Sequence, residues 1–252
     1  MILLHGLGAT KLSYLPLLPA LARNHRVIVP DLPGHGESTK PRAAYTPQYF
    51  AAVIRDLFDE LDVGRAAVIG NSMGGRIALE MAAEFPDRVR ALVLLDPAAA
   101  GVPFPFYVRL LRMLPTGVGA VPIPLRKRIV AFGIRALISE PDRLPGGAYL
   151  AGADEFIRIY RHGRARVALL SAIRGLMADG EGAFWERMAN VEIPTLILWG
   201  SEDRLVPMRL GRRLAGTMPR AELAVLPGVG HVPQFEVPEE TRRRVHAFLE
   251  ST

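Results

Sequence analysis

The 252-residue sequence contains no cysteine, which excludes disulfide bonds, thiol nucleophiles and thiolate metal sites. Histidine is scarce as well, and the six histidines form no cluster with the spacing of metal ligands. The glycine–lysine loop that cradles nucleotide phosphates is missing, and the glycine-rich turns are too short for a dinucleotide fingerprint. We therefore expect neither a metal ion nor an organic cofactor, and the lack of cysteine fits a reducing compartment.

Long apolar segments are missing too. No uninterrupted apolar run approaches the roughly 18 residues that a membrane-spanning helix needs. The first residues, MILLHGLG, are apolar but have neither the basic start nor the cleavage site of a secretory signal. From these two absences we expect a soluble, cytoplasmic protein.

Lysine is rare, and the basic residues are mostly arginine. The net charge of +6 arises from residues 101–190, which hold 13 basic and 7 acidic residues, whereas the rest of the chain is neutral. Either this segment has a basic surface that meets anionic lipid or an anionic substrate, or its arginines reflect codon usage alone. The aromatic–basic alternation of single-strand-binding proteins is missing, so we expect no nucleic acid partner.

The sequence does contain a regular alternation of strand-like and helix-like segments. Short apolar runs typical of buried parallel strands occur at MILLH (1–5), RVIVP (26–30), AAVIG (66–70), ALVLLD (91–96), TLILWG (195–200) and ELAVL (222–226). Between them, apolar residues recur at helical spacing, as in residues 47–62 and 77–85. This order predicts an α/β protein with a mostly parallel sheet flanked by helices.

The alternation stops after Asp96 and resumes at Ile193. Between these positions, apolar–basic stretches such as FYVRLLRML (106–114) and LRKRIVAFGIRALI (125–138) are punctuated by glycine and proline. We therefore predict a core domain of residues 1–100 and 191–252. Residues 101–190 are predicted to form a helical insertion that lies over the sheet.

A glycine-flanked serine follows the third predicted strand. Residues 70–74, GNSMG, have the pattern G-x-S-x-G, with a strand before it and a helix after it. A serine on so sharp a turn takes a strained conformation, and the glycines let neighbouring backbone approach. The turn would present the hydroxyl at the carboxyl edge of the sheet, next to a helix N-terminus that favours negative charge. The pattern predicts that Ser72 is a nucleophile; the alternative is a surface serine in a glycine-rich turn.

A base and an acid for this serine follow late in the chain. His231 lies in a glycine-flanked loop after the last strand, and imidazole suits proton transfer near neutral pH. Asp203 follows the strand at 195–200 and is predicted to accept a hydrogen bond from the far nitrogen of His231. Two rival acids remain: Glu202 is adjacent, and Asp96 ends the preceding strand.

Two backbone N–H groups are predicted to bind the oxyanion of the transition state. One belongs to Met73, directly after the nucleophile, and the other to Leu7 in the loop HGLG after the first strand. His5 of the same loop is assigned a structural role. Ser38 and His35 of the turn-rich loop DLPGHGES are too close in sequence to work as a dyad, so we predict a structural corner there.

Six segments carry a resemblance to the serine hydrolases of the α/β-hydrolase fold: HGLG, DLPGHGES, GNSMGG, LVLLDP, LWGSEDRLVP and GVGHVPQFEVPE. The similarity covers residues 1–100 and 191–252 in order, and the insertion matches the cap or lid of that family in position. The resemblance implies cleavage of an ester, or a related acyl cleavage, through an acyl-enzyme on a triad of Ser72, His231 and Asp203.

Some features separate this sequence from parts of that family. Family members usually carry a strand hairpin before the first strand seen here, so we expect either a truncated start or a bare sheet edge. The turn GNSMGG resembles that of the meta-cleavage-product hydrolases, which cut C–C bonds. Those enzymes usually have Trp where Val232 follows the histidine, and a longer oxyanion loop than HGLGATK. Epoxide hydrolases and haloalkane dehalogenases of this fold use Asp where Ser72 stands.

The insertion is expected to contact the substrate, because it is rich in large apolar residues. These favour a hydrophobic acyl pocket or a lid that opens at a lipid interface, but packing against the core domain would use them as well. They are Phe104, Phe106, Tyr107, Leu110, Leu111, Met113, Ile129, Phe132, Ile134 and Leu137. Four arginines would anchor an anionic head group or form a solvated face: Arg109, Arg112, Arg126 and Arg128.

We expect a carboxylesterase or an acylglycerol lipase that acts on a hydrophobic, medium-chain ester, with peripheral contact between the basic insertion and a lipid surface. Two alternatives remain open. One is a C–C hydrolase for an acidic diketone, which would need an arginine of the insertion aimed at the substrate carboxylate. The other is a small-molecule receptor on the same fold with a vestigial triad, although all three triad residues are present.

Overall fold

The computed structural model describes residues 1–103, 115–121, 124–144, 147–178 and 180–252. Within these ranges the strands form one parallel sheet, and their spatial order equals their chain order. They are β1 (Ile2–Leu4), β2 (Ala66–Asn71), β3 (Val89–Leu95), β4 (Thr195–Gly200) and β5 (Ala221–Leu226). Because every pairing is parallel, the carboxyl ends of all these strands meet at one edge of the sheet.

Helices lie on both faces of this sheet. The helices of the described residues are α1 (Leu18–Leu21), α2 (Pro47–Glu60), α3 (Met73–Glu84), α4 (Lys127–Arg135), α5 (Ala148–Tyr160), α6 (Gly163–Leu176), α7 (Glu181–Ala189), α8 (Met208–Thr217), α9 (Pro233–Glu236) and α10 (Pro238–Glu250). None of the described helices is both long and apolar enough to cross a lipid bilayer.

Alternate residues of each strand enter different cores, because successive side chains of a strand point to opposite faces. In β3, Leu92 and Leu94 pack in the core formed with α2, α3, α7 and α8. Val93 and Leu95 pack in the second core, which contains Leu21 of α1 and side chains of α10. Burial on both faces explains why the strands read as continuous apolar runs.

The strand predicted at residues 26–30 differs from what the structure contains. Here the chain makes an isolated parallel bridge, Ile28 opposite Ile2, in place of a full strand. The N–H of Leu3 donates to the carbonyl of Ile28, and the N–H of Ile28 to that of Met1, both at 2.9 Å. Two causes shorten the ladder: β1 has three residues, and Pro30 has no N–H to donate.

All regular elements that the structure describes between residues 101 and 190 are helical. The helix predicted at 125–138 is observed as α4, whereas the stretch predicted at 106–114 lies outside the described residues. Helix α6 lies against the loop before α2, where Ser171 Oγ donates to the carbonyl of Ala43 at 3.1 Å. Helices α5 and α6 reach the loop after β1, since a Cβ on Gly8 would lie 3.1 Å from Phe156 and 3.8 Å from Leu169.

Candidate active site

Ser72 occupies the sharp turn between β2 and α3. Its backbone has φ 54° and ψ −116°, a conformation that an L-residue adopts rarely and that surrounding structure must hold in place. Its N–H donates to the carbonyl of Leu95 at 3.0 Å, which ties the turn to the end of β3. Glycine is required at Gly74, because a Cβ there would overlap the Leu4 carbonyl of β1. The turn therefore packs directly on the sheet and presents Ser72 at its carboxyl edge.

His231 and Asp203 form a buried hydrogen-bonded pair at the same edge. His231 Nδ1 lies 2.8 Å from Asp203 Oδ2, and their side chains are 3% and 0% exposed. The second oxygen of Asp203 accepts from the N–H groups of Leu205 and Val206, at 2.8 and 2.9 Å. An ionised Asp203 can accept and cannot donate, so Nδ1 carries the proton and Nε2 remains as a base.

The pKa of Asp203 lies below its usual value. Burial by itself would raise this pKa, but the hydrogen bond from His231 and the N–H groups of Leu205 and Val206 outweigh the effect of burial. Asp203 is therefore held as the carboxylate that orients the imidazole ring.

The structure separates Asp203 from the two rival acids. Glu202 is exposed, and its carboxylate accepts from Ser201 Oγ at 3.3 Å. Asp96 is fully buried, and its Oδ1 accepts from the N–H of Gly200 at 2.9 Å. A nitrogen of His231 and one oxygen each of Asp96 and Asp203 lie within 4.8 Å of one another. Asp96 is thus close to the pair, while Asp203 makes the contact with Nδ1.

This group of three is also the compact cluster of potential metal ligands among the described residues. A metal between two such ligands would sit about 2.0–2.2 Å from each of them. The 2.8 Å contact of Nδ1 with Oδ2 has the length of a direct hydrogen bond.

No hydrogen bond joins Ser72 Oγ to His231 in the described part of the chain. Such contacts are often long before substrate binds. What does join the two loops is Asn71, whose Nδ2 donates to the carbonyl of His231 at 3.1 Å and to that of Leu95 at 3.0 Å. The side chain next to Ser72 therefore fixes the backbone of His231, a role that the sequence analysis missed.

The two predicted oxyanion donors flank Ser72. Met73 is the first residue of α3, and Leu7 follows Gly6, whose Cβ would lie 3.3 Å from Ser72 Cβ. Within the described residues, neither the N–H of Leu7 nor that of Met73 has a hydrogen-bond acceptor. Two unpaired N–H groups beside the hydroxyl, one of them at a helix N-terminus, form a site suited to negative charge.

His5 links the loop after β1 to the neighbouring loop. Its Nε2 accepts from the N–H of Leu32 at 3.0 Å, and its Nδ1 lies 2.9 Å from the carbonyl of Gly6. Burial lowers the pKa of His5 to about 4, so the ring stays neutral and both nitrogens keep these partners. His35 and Ser38 do not bond to each other, since His35 Nδ1 contacts the Pro33 carbonyl and Ser38 Oγ that of Asp31.

Glu236 is a second residue that sequence reasoning missed. Its carboxylate accepts from the N–H of Gly230 at 3.0 Å, directly before His231. It also accepts from the N–H of Ser139 at 2.8 Å, in the segment that follows α4. The only sequence signal was its position in the motif GVGHVPQFEVPE, where an acidic residue precedes Val-Pro at a helix start. Glu236 thereby links the histidine loop to the chain that follows α4.

Comparison with known proteins identifies the family of the chain. The sequence profile described as the alpha/beta hydrolase family matches residues 1–244, and the chain belongs to that family. It is 31% identical over 262 residues to an uncharacterized protein of Mycobacterium tuberculosis, covering 100% of this chain and 75% of that protein. It is 28% identical over 255 residues to a 2-hydroxy-6-oxononadienedioate/2-hydroxy-6-oxononatrienedioate hydrolase of Cupriavidus pinatubonensis, covering 98% of this chain and 86% of that protein.

Among solved structures, a thermophilic esterase from Thermogutta terrifontis, determined with malate bound, superposes with a TM-score of 0.82. The two sequences are 26% identical, and the match covers 99% of this chain and 89% of that one. Relatives of the family thus include hydrolases of both kinds that the sequence analysis considered, one that cleaves esters and one named for a dienedioate.

Proposed function

We propose that the protein hydrolyses carboxylic esters with a hydrophobic acyl group through an acyl-enzyme formed on Ser72. The observation that carries this proposal is the buried 2.8 Å contact of His231 Nδ1 with Asp203 Oδ2, beside a serine on a strained strand–helix turn. Nucleophile, orienting acid and base then follow in the chain order of the α/β-hydrolases.

In the first step, Ser72 Oγ attacks the ester carbonyl while His231 Nε2 takes the hydroxyl proton. The carbonyl oxygen becomes an oxyanion, and the N–H groups of Leu7 and Met73 donate to it. The tetrahedral intermediate collapses as His231 returns the proton to the leaving alcohol, which leaves an ester of Ser72. Water then attacks this acyl-enzyme with His231 again as base, releasing the acid and restoring the serine.

The acyl group is proposed to lie between the loop after β1 and helices α5 and α6. Apolar side chains lie here: a Cβ on Gly8 would be 3.1 Å from Phe156 and 3.8 Å from Leu169. Apolar walls with a few aimed N–H groups suit a medium-chain acyl ester or a monoacylglycerol. We propose that the helices of residues 101–190 serve as the cap of this site.

A C–C hydrolase for an acidic diketone is the competing proposal, and the relative from Cupriavidus pinatubonensis gives it support. It requires an arginine of the insertion that is free to bind a carboxylate. Several described arginines are engaged elsewhere: Arg166 donates to the carbonyl of Tyr160, Arg158 pairs with Glu155, and Arg135 pairs with Asp142. Arg126 and Arg128 are exposed, and Arg109 and Arg112 lie outside the described residues. These pairings count against Arg135, Arg158 and Arg166 as the ligand of a substrate carboxylate.

The test is hydrolysis of p-nitrophenyl esters from acetyl to dodecanoyl by the wild type and Ser72→Ala. We expect a maximum at medium chain length and a loss of kcat of at least about a thousandfold in Ser72→Ala. Ser38→Ala is the matched control, because Ser38 bonds a backbone carbonyl away from the histidine, and it should keep its activity. A folded wild type that turns over no ester but cleaves a chromogenic dienoate would establish the C–C reaction, and tight ligand binding without turnover would establish a receptor.

We also propose that helix α4 contacts an anionic lipid surface. Ile129 and Phe132, one turn apart, are 68% and 75% exposed, and Arg126 and Arg128 are exposed next to them. An apolar pair flanked by cations is typical of helices that lie in a membrane interface. Phe132→Ser should reduce co-sedimentation with phosphatidylglycerol vesicles, whereas Leu205→Ser, exposed but outside the insertion, should not. If both variants co-sediment with the vesicles as much as the wild type does, α4 does not have this role.

A further inference from the structure

Asp96 has a buried oxygen for which the described structure offers no hydrogen-bond donor. It directly follows β3 in a strained conformation with φ 44°, and its side chain is inaccessible to solvent. Oδ1 accepts from the N–H of Gly200, but Oδ2 has no partner. A buried carboxylate oxygen without a donor is costly, so an unpartnered one in a native structure requires an explanation.

The neighbour of this oxygen is another carboxyl group. An oxygen of Asp203 lies within 4.8 Å of an oxygen of Asp96, and two ionised carboxylates in one dry site would repel each other. A single proton between the two groups removes the repulsion. It also converts the unpartnered oxygen of Asp96 into a donor.

We infer that Asp96 is a positioning residue of the active site, a neutral carboxylic acid whose Oδ2–H donates to the Asp203 carboxylate. The assignment of the proton follows from the partners of each group. Asp203 accepts from His231 and from the N–H groups of Leu205 and Val206, all of which favour its ionised form. Asp96 accepts from one N–H, that of Gly200, so its ionised form has much less support.

The electrostatic environment agrees with this arrangement. Burial and the negative charge of Asp203 raise the pKa of Asp96 well above its usual value, and Glu236 adds to the rise. The titratable groups that face Asp96 are therefore Asp203, His231 and Glu236, and two of these are acids. The cluster of Asp96 with Asp203 then holds one negative charge in place of two.

For the reaction, this proton fixes the direction of the Asp203 carboxylate. Donors from Asp96, Leu205, Val206 and His231 surround the two oxygens, so the carboxylate cannot rotate away from the imidazole. A single charge also stabilises the imidazolium less than two charges would, which keeps His231 able to return its proton to the leaving group. This catalytic role rests on the proposed function, whereas the protonation itself does not.

The first test is independent of activity. Protein labelled with ¹³C at the aspartate carboxyl carbons is titrated by NMR, and Asp96→Asn identifies the Asp96 signal. We expect Asp96 to remain protonated at pH 6.5, where an exposed aspartate is ionised. An Asp96 signal of the ionised form at that pH would overturn the inference, whether or not the protein hydrolyses esters.

The second test compares replacements with different hydrogen bonds. Asp96→Asn keeps an acceptor for Gly200 and gains an N–H that can donate to Asp203, so kcat should stay within about threefold of wild type. Asp96→Leu, similar in size, has neither group and should lower kcat roughly 10- to 100-fold with little change in KM. Asp96→Ala removes the same hydrogen bonds as Asp96→Leu but has a smaller side chain. It should likewise lower kcat with little change in KM.

The pH profile separates a neutral Asp96 from an ionised one. If Asp96 is neutral, Asp96→Asn does not change the charge, and the acidic limb of kcat/KM against pH should keep its apparent pKa. A fall of that apparent pKa by about one unit or more in Asp96→Asn would show that an anion had been removed, which would overturn the inference. Equal activity of Asp96→Leu and wild type would overturn the positioning role.

Discussion

The backbone N–H of His231 donates a 2.8 Å hydrogen bond to the carbonyl oxygen of Leu137. Two residues later in the helical segment, the N–H of Ser139 donates to Glu236, which also binds the N–H of Gly230. The loop that carries the histidine is therefore held by the chain that follows α4 as well as by the sheet. A movement of this segment away from the sheet would have to break these bonds, so its position and that of His231 are linked.

Glu236→Gln should weaken both catalysis and folding. An amide offers one acceptor where the carboxylate offers two, and its NH₂ would face the N–H of either Gly230 or Ser139. We expect the free energy of unfolding to fall by about 1–3 kcal/mol and kcat to fall with it, measured by urea denaturation and ester hydrolysis.

Glu239→Gln is the matched control for this variant. Glu239 is exposed and pairs with Arg242 within one helix, so its change should stay within about 0.5 kcal/mol. If Glu236→Gln behaves like Glu239→Gln in both measurements, the link between the insertion and the histidine loop contributes nothing.

Gly74→Ala should destabilise the protein strongly. Any Cβ at Gly74 would overlap the Leu4 carbonyl, so α3 would have to move away from β1 together with the nucleophile turn. A cost of several kcal/mol, on the order of 3, is expected in the free energy of unfolding.

The same substitution at Gly216 should have the opposite sign. Gly216 lies near the end of α8, and nothing is within 4 Å of the Cβ position, so alanine should stabilise the helix by about 0.5 kcal/mol. Urea unfolding of both variants measures the contrast; equal effects would show that close packing of the turn is not what requires Gly74.

His35→Asn should make stability less sensitive to acid. Burial and the charge of His5 lower the pKa of His35 to about 3 in the folded protein, against a usual value near 6.5. Between these values the unfolded chain binds a proton that the folded one does not, so stability falls as the pH drops below about 6.5. Above pH 6.5 both states are neutral, and this contribution is constant.

Urea unfolding at pH 7 and pH 5 measures the effect. Removing the His35 titration should reduce the loss of stability between these pH values by about 2 kcal/mol, from a slope of about 1.4 kcal/mol per pH unit below pH 6.5. Asn at this position can still donate to the Pro33 carbonyl. His162→Asn, at an exposed position of the insertion, should leave the wild-type loss unchanged; an identical loss in His35→Asn would refute the account.

Glu80→Gln should lower the free energy of unfolding, because Glu80 belongs to a buried network of charges. Glu80 is fully buried on α3 and accepts from Arg76 at 2.9 Å and from Arg187 of α7 at 3.1 Å. Neutralising it leaves the buried Arg76 and the partly exposed Arg187 with less compensation and should cost roughly 3 kcal/mol in unfolding free energy. The control is Glu181→Gln, whose exposed pair with Arg213 should contribute less than about 1 kcal/mol. Similar losses of unfolding free energy in the two variants would show that burial does not make the Glu80 charge more important than an exposed one.

The parallel sheet and its order of elements could be predicted because each strand is an apolar run that only double burial explains. The strand prediction at residues 26–30 was wrong, although this run is apolar. Whether such a run forms a strand depends on the length of its partner, and β1 has only three residues. Ser72, His231 and three candidate acids were recognisable from their positions in the turns and loops after strands. Asn71 and Glu236 were not, because their hydrogen bonds go to backbone far away in the sequence, at His231 and Ser139.

The sequence by itself determined the family, the fold and the residues with the right chemistry at the carboxyl ends of the strands, because periodicity and turn composition are local properties. It left Asp203 and Asp96 as competing acids, since both follow buried strands. Only the tertiary structure distinguishes their contacts: the parallel register of β3 and β4 brings both carboxyl groups to the same place, and the loop after β4 puts Asp203 Oδ2 2.8 Å from His231 Nδ1. Distances of a few ångström between groups separated by about a hundred residues are set by packing, and no local pattern records them.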